Sequence, residues 1–335
     1  MASFKKTSVT VLMLLGMVAF GALPTIGEHS LPTPEPVSGR PVKAEEILPA
    51  DVLARVALLR DEVEVLRFEM GKPKDSRTRR VAIHAAPHEV YFQAITLYLK
   101  ANRLALELTG STGMHPRGVS PLKIRPFHIW KTVDAAYERI LAVKRELGIT
   151  NSVAEHPQDP STTPTDVGRA IVSANRQINL LLERRFSPSD VFQQVTVASR
   201  YAETLLARFP GAKTRPDPPP FERGKAPKDV LFRLADCYKR LETVAYRSGL
   251  EVLHLDTSTL EEWEVQPGDV YDMATLLVSD LSYIHVQAKG AKSPRMVSYP
   301  GRKFPSHVYQ QAGVLCDQLT VLGELAEANP DWLQR

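Results

Sequence analysis

Apolar side chains recur along this chain in alternating steps of four and three residues, and they do so in eight separate stretches. Each stretch opens on a proline; counting it as position one, positions 4, 8, 11, 15, 18 and 22 are apolar. In the first stretch these are Val52, Val56, Leu59, Val63, Leu66 and Met70, and in the seventh Val270, Ala274, Leu277, Leu281, Ile284 and Ala288. Of the 48 positions only Arg185 and Ser248 depart, both at the ends of stretches. Such steps hold a stripe on one helix face, as the seam of a packed bundle requires. The pattern predicts an all-α protein of eight helices of about 21 residues, with no appreciable sheet.

The starts and stops agree with the seam. The prolines are Pro49, Pro87, Pro126, Pro164, Pro188, Pro227, Pro267 and Pro305, spaced by 38, 39, 38, 24, 39, 40 and 38 residues. Corresponding prolines of the two halves lie 139 to 141 residues apart, which predicts a tandem duplication of a four-helix unit. Proline suits the first helical position, where its missing N–H has no partner to lose, and an acid two residues later faces the positive end of the helix dipole. Thr163 with Asp166 and Ser187 with Asp190 form capping boxes in outline. Gly71, Gly110, Gly148, Gly211, Gly249 and Gly290 each follow their proline by 22 or 23 residues, where a left-handed residue ends a helix. The expected units are 49–186 and 187–335.

Between helices the Pro-rich linkers run about 15 residues, long for a bundle. An extended linker of that size reaches about 50 Å, beyond the roughly 32 Å of a 21-residue helix. Two topologies follow: an up-down bundle with long end loops, which is the expectation, or helices that all start at one end. Between the fourth and fifth units there is no room for such a linker, so Phe186-Ser187-Pro188 is expected to make a tight reversal or a sharp kink joining the halves. Cys237 and Cys316 stand at positions eleven and twelve of the sixth and eighth helices. If helices follow chain order around the bundle, those two are diagonal, and two free, buried thiols are expected.

Residues 1–27 read as a secretory signal: Lys5 and Lys6, an uncharged Val9 to Ala22, then small-x-small cleavage sites. Residues 28–48 read as a Pro-rich linker. These features predict a periplasmic or secreted protein with no stable span after cleavage; the alternative is an N-terminal anchor facing the periplasm. The net charge of +4 is small and its signs are interleaved, so nucleic acid is not an expected partner.

Candidate chemistry is sparse. No catalytic or metal-binding set and no cofactor is expected, because the seam supplies almost no titratable group. Glu251-Val-Leu-His254 has the Glu-x-x-His spacing of carboxylate-bridged di-iron sites, but the second motif and the two further glutamates are lacking. His84 and His88 flank Pro87 and are expected in solvent. At position five an aromatic ring recurs (Tyr91, Trp130, Phe192, Tyr271, Tyr309), and basic residues precede several helix starts, Arg125 and Arg302 among them. A ring, an arginine and helix-terminal N–H groups suit an anionic or sugar-like ligand or a partner's loop. The expectation is an exported, non-enzymatic protein that binds a small ligand or a protein partner, or acts as a scaffold. The alternative is a metal- or cofactor-dependent enzyme or sensor using the bundle interior.

Overall fold

The eight helices are present in the computed structural model, which describes residues 47–74, 85–114, 116, 118–183, 186–255, 257 and 265–334. They are α1 (Pro49–Glu69), α2 (Pro87–Thr109), α3 (Pro126–Glu146), α4 (Pro164–Leu181), α5 (Pro188–Leu206), α6 (Pro227–Arg247), α7 (Pro267–Gln287) and α8 (Pro305–Ala328). A 3-10 turn at Pro121–Lys123 is the other regular element, and no strand occurs among the described residues. The expected signal and nearly all of the linker to residue 48 lie outside the described residues. Among the described residues no helix is long and apolar enough to cross a membrane.

Every helix starts by the same device. The third-position side chain folds back and accepts the backbone N–H of the residue before the proline: Asp51 from Leu48 (2.7 Å), Glu89 from Ala86 (2.6 Å), Asp166 from Thr163 (3.0 Å), Asp190 from Ser187 (2.7 Å), Asp229 from Ala226 (2.7 Å) and Asp269 from Gln266 (2.9 Å). His128 and His307 do the same through Nδ1, accepting from Arg125 at 3.0 Å and Phe304 at 3.2 Å. The motif thus satisfies a donor at the helix entrance and sets negative or acceptor groups against the dipole. Only the hydroxyls of Thr163 and Ser187 add the return bond that closes a full box. All six stop glycines take left-handed φ, between 62° and 80°.

Side-chain contacts overturn the up-down expectation. At one end of the second four helices, Pro188, Val191, Pro227, Val230, Pro267, Val270, Pro305 and Val308 line a single small apolar recess, so α5 to α8 all start together. In the first four, Arg55 near the start of α1 reaches Trp130 and Asp134 near the start of α3. Likewise Val90 of α2 lies against Gly168 of α4, the fourth and fifth positions of their helices. The segments between helices run back along the outside. After α2, Gly113 donates to Asn102 and the Met114 carbonyl accepts from Tyr98, which traces the chain back toward the start of α2. After α5, the carbonyls of Thr214 and Pro219 and the N–H of Lys225 bond in turn to Gln318, Gln310 and Ser306, climbing α8 from middle to start.

A returning linker frees the next helix from lying beside the last. In the first set α1 and α2 each pack against α3 and α4; in the second, α5 and α6 each pack against α7 and α8. The sixth and eighth helices are therefore neighbours rather than diagonal. Cys237 and Cys316 form a disulfide with Cα atoms 4.7 Å apart, which corrects the expectation of two free thiols.

Between α4 and α5 there is no return segment, so α5 begins where α4 ends and the second set points the opposite way. The register across the junction shows it: Glu89, early in α2, lies beside Asp280, late in α7, whereas Lys100, late in α2, meets Asp272, early in α7. The two sets form one compact unit, with α2 packed along α7.

Candidate functional site

Helix α7 is enclosed by its own set on one side and by α2 on the other. Its stretch Met273 to Ile284 is buried on nearly every face, and the one charged residue in that stretch is Asp280, fully buried. A charge in such surroundings is costly without a compensating partner. What surrounds Asp280 is contributed by α2, α6 and the segment after α6.

Asp280 Oδ2 accepts the Tyr238 hydroxyl of α6 at 2.6 Å; that hydroxyl also lies 3.0 Å from the Leu253 carbonyl. On the other side stands the entrance of α2. His88 Nε2 is 3.4 Å from Asp280 and 3.8 Å from Glu89 Oε1, and its ring stacks on Tyr283 with centroids 4.1 Å apart. Glu89 is the one glutamate among the eight third positions. Its extra methylene lets it cap α2 through Oε2 and accept the Leu253 N–H through Oε1. His88, Glu89 and Asp280 are 4%, 2% and 0% exposed. His88 Nε2 and Asp280 Oδ1 have no hydrogen-bond partner.

The electrostatics follow from the burial. Desolvation, and then the neighbouring Asp280, push the Glu89 carboxyl up to about 8 against the lowering effect of two backbone N–H bonds. Burial, and then the two carboxylates, drive the Tyr238 hydroxyl well above its ordinary range. Glu89, alone of the three, also lines a cleft of about 620 Å³ whose walls include Ala85, Ala86, Glu242, Leu253 and His254. His254 Nδ1 stands 3.6 Å from Glu242 in that wall.

Toward the other end of the junction, the fully buried Lys100 donates to both oxygens of Asp272 at 2.6 and 2.9 Å. Phe186 stacks on Tyr271 at 4.0 Å beside this pair. Lys100 and Asp272 satisfy each other, and the arrangement reads as a junction contact. A larger cleft of about 810 Å³ lies at the far end of the second set; its Arg200 and Arg215 are paired with Glu203, and no histidine or cysteine lines it.

The sequence-predicted binding residues do not converge. Tyr91 is buried and its hydroxyl bonds to Thr132 and the Val119 backbone. Tyr271 is buried against Phe186. Trp130 faces Arg55, Phe192 faces Lys303 at 4.8 Å, and Tyr309 is flanked by Arg233 at 3.6 Å and Lys225 at 4.2 Å. Arg125 and Arg302 are exposed, the latter over Phe304 at 5.3 Å. None of these seven lines the cleft floored by Glu89.

Two expectations need correction. His88 is buried rather than solvated, because α2 enters the junction at its first turn; His84 lies outside the described residues. Titratable groups do occur inside the protein, off the seams: His88, Glu89, Lys100, Tyr238 and Asp280 on α2, α6 and α7, and, within the first set, Glu62 of α1 paired with Lys144 of α3 at 2.5 Å. The signal was present in the apolar runs: Val90 to Leu99 and Met273 to Ile284 carry apolar residues on faces the seam does not use, with Lys100 following the first and Asp280 inside the second. The chain matches no family model, no curated protein and no solved structure.

Proposed function

We propose that this is an exported, non-enzymatic binding protein, built by duplication of a four-helix unit, whose ligand is held at the junction of the two sets. One observation carries the site: a buried cluster from α2 and α7, in which His88 Nε2 and Asp280 Oδ1 have no hydrogen-bond partner, meets a cleft at Glu89. Duplication is supported by the shared helix starts and by the same neighbour order in both sets. Export is supported by the buried disulfide, which suits an oxidising compartment.

Native mass spectrometry of the protein isolated from its own cell envelope, without added ligand, tests the reading. The wild type is expected to carry a bound mass that denaturation releases and Asp280→Asn lacks. Equal native and denatured masses in both proteins would count against it. The alternative is an enzyme or sensor at the same place, favoured by the Glu89 carboxyl on the cleft and the Tyr238 hydroxyl on neighbouring Asp280; turnover of a released ligand by the wild type would select it.

A further inference from the structure

We propose that the junction cluster is a binding site for one divalent first-row transition-metal ion, held by His88 Nε2, Glu89 and Asp280 Oδ1. This rests on the reading that the junction is the binding site and names its ligand. The three donor atoms lie within 4.8 Å of one another, with His88 Nε2 3.4 Å from Asp280 and 3.8 Å from Glu89. An ion about 2.1 Å from each donor in a tetrahedral arrangement holds them about 3.4 Å apart, so small side-chain adjustments close the site.

Acids in a group are not by themselves a metal site, and two further observations distinguish this one. His88 Nε2 and Asp280 Oδ1, each on a residue more than nine-tenths buried, point into the cluster without a hydrogen-bond partner. The other carboxylate oxygens are held from outside, Glu89 Oε1 by the Leu253 N–H. Tyr238 holds Asp280 Oδ2, the Ala86 N–H holds Glu89 Oε2, and Tyr283 stacks under the imidazole. Those are the outer contacts that orient ligands toward an ion. Among the described residues, His88 is the one basic side chain within ion-pair distance of Glu89 or Asp280.

The donor set selects the class. One imidazole nitrogen with two carboxylates suits zinc, iron, cobalt or manganese, whereas calcium takes six to eight oxygens and copper(I) takes sulfur. The cleft reaches the cluster at Glu89, and Glu242 and Glu251 in its wall favour a cation on approach.

The test uses the full chain with its disulfide intact, stripped by chelator and titrated calorimetrically with Zn²⁺ at neutral pH. One equivalent is expected, with millimolar Mg²⁺ failing to compete. Asp280→Asn, which keeps an acceptor for Tyr238, and His88→Gln are each expected to weaken binding at least 100-fold with unchanged circular dichroism. Zinc-edge X-ray absorption of the wild type, expected to show one nitrogen and two or more oxygens near 2.0 to 2.2 Å, decides the matter if a variant fails to fold. Absence of binding below millimolar, or equal binding in both folded variants, would overturn the proposal. A native mass adduct that is not a metal but is lost in Asp280→Asn would overturn the metal while leaving the junction as binding site.

Discussion

Replacing Cys237 and Cys316 together by alanine removes a covalent tie between α6 and α8, and its cost follows from where the bridge sits. The two residues are separated by 79 positions. Cross-linking a loop of that size lowers the entropy of the unfolded chain by an amount worth about 4.5 kcal/mol at 25 °C. Both side chains are buried, so losing each sulfur adds a packing cost on the order of 1 kcal/mol. With a urea slope of about 3 kcal/mol/M for a chain of this size, the midpoint should fall by about 2 M. Urea unfolding followed by circular dichroism without reductant measures it, and wild type unfolded in reductant should lose most of the same amount. A shift below about 0.3 M, or two alkylatable thiols in the unreduced wild type, would refute the placement of α6 beside α8.

Three other outcomes follow from the junction. Lys100→Met leaves the Asp272 carboxylate without its partner and should cost about 3 to 5 kcal/mol in chemical unfolding, while Lys100→Met with Asp272→Leu should recover most of it; additive losses would contradict the pairing. In metal-free protein Glu89 stays protonated to about pH 8 when folded, against an ordinary value of 4.5 when unfolded, so the folded state holds the extra proton between those values. Its contribution to stability is full below about pH 4.5 and is lost as pH rises through 8, with a slope approaching 1.4 kcal/mol per pH unit that Glu89→Gln should flatten in thermal melts. Tyr238→Phe removes the hydroxyl that orients Asp280 and should weaken Zn²⁺ binding by about 10- to 100-fold at unchanged stoichiometry; unchanged affinity would remove Tyr238 from the site.

The helices were legible in the sequence because three local signals coincide in each: proline with its capping side chain, the four-and-three seam, and the terminal glycine. Val56, Leu59 and Val63 are fully buried as the seam requires, and the seam residues of α8 from Ala312 to Ala326 are too. Direction was not legible, since a linker of about 15 residues spans a helix as readily as it loops at its end. The missing linker before Pro188 did hold the orientation of the second set, but only once helices within a set are known to be parallel. The site was obscured for a related reason. A seam describes what a helix buries inside its own set, whereas His88, Glu89 and Asp280 are buried where α2 meets α7 of the other set, and Tyr238 is buried against Asp280 and the segment after α6. Their identities are ordinary for exposed helix positions; the apolar flanks of Asp280 were what marked it as interior.

The account stands on each set having its helices parallel, because only then do the sets oppose and bring the start of α2 against the far half of α7. Electron–electron distance measurements between spin labels test this in the full chain, using Tyr246→Cys with Lys289→Cys at the ends of α6 and α7, and Lys228→Cys with Lys289→Cys at a start and an end. All three positions are exposed. Parallel helices place the first pair within about 20 Å and the second about 27 Å or more apart, the rise of some eighteen helical residues. A short Lys228–Lys289 distance with a long Tyr246–Lys289 distance would mean an up-down bundle and would dismantle the junction.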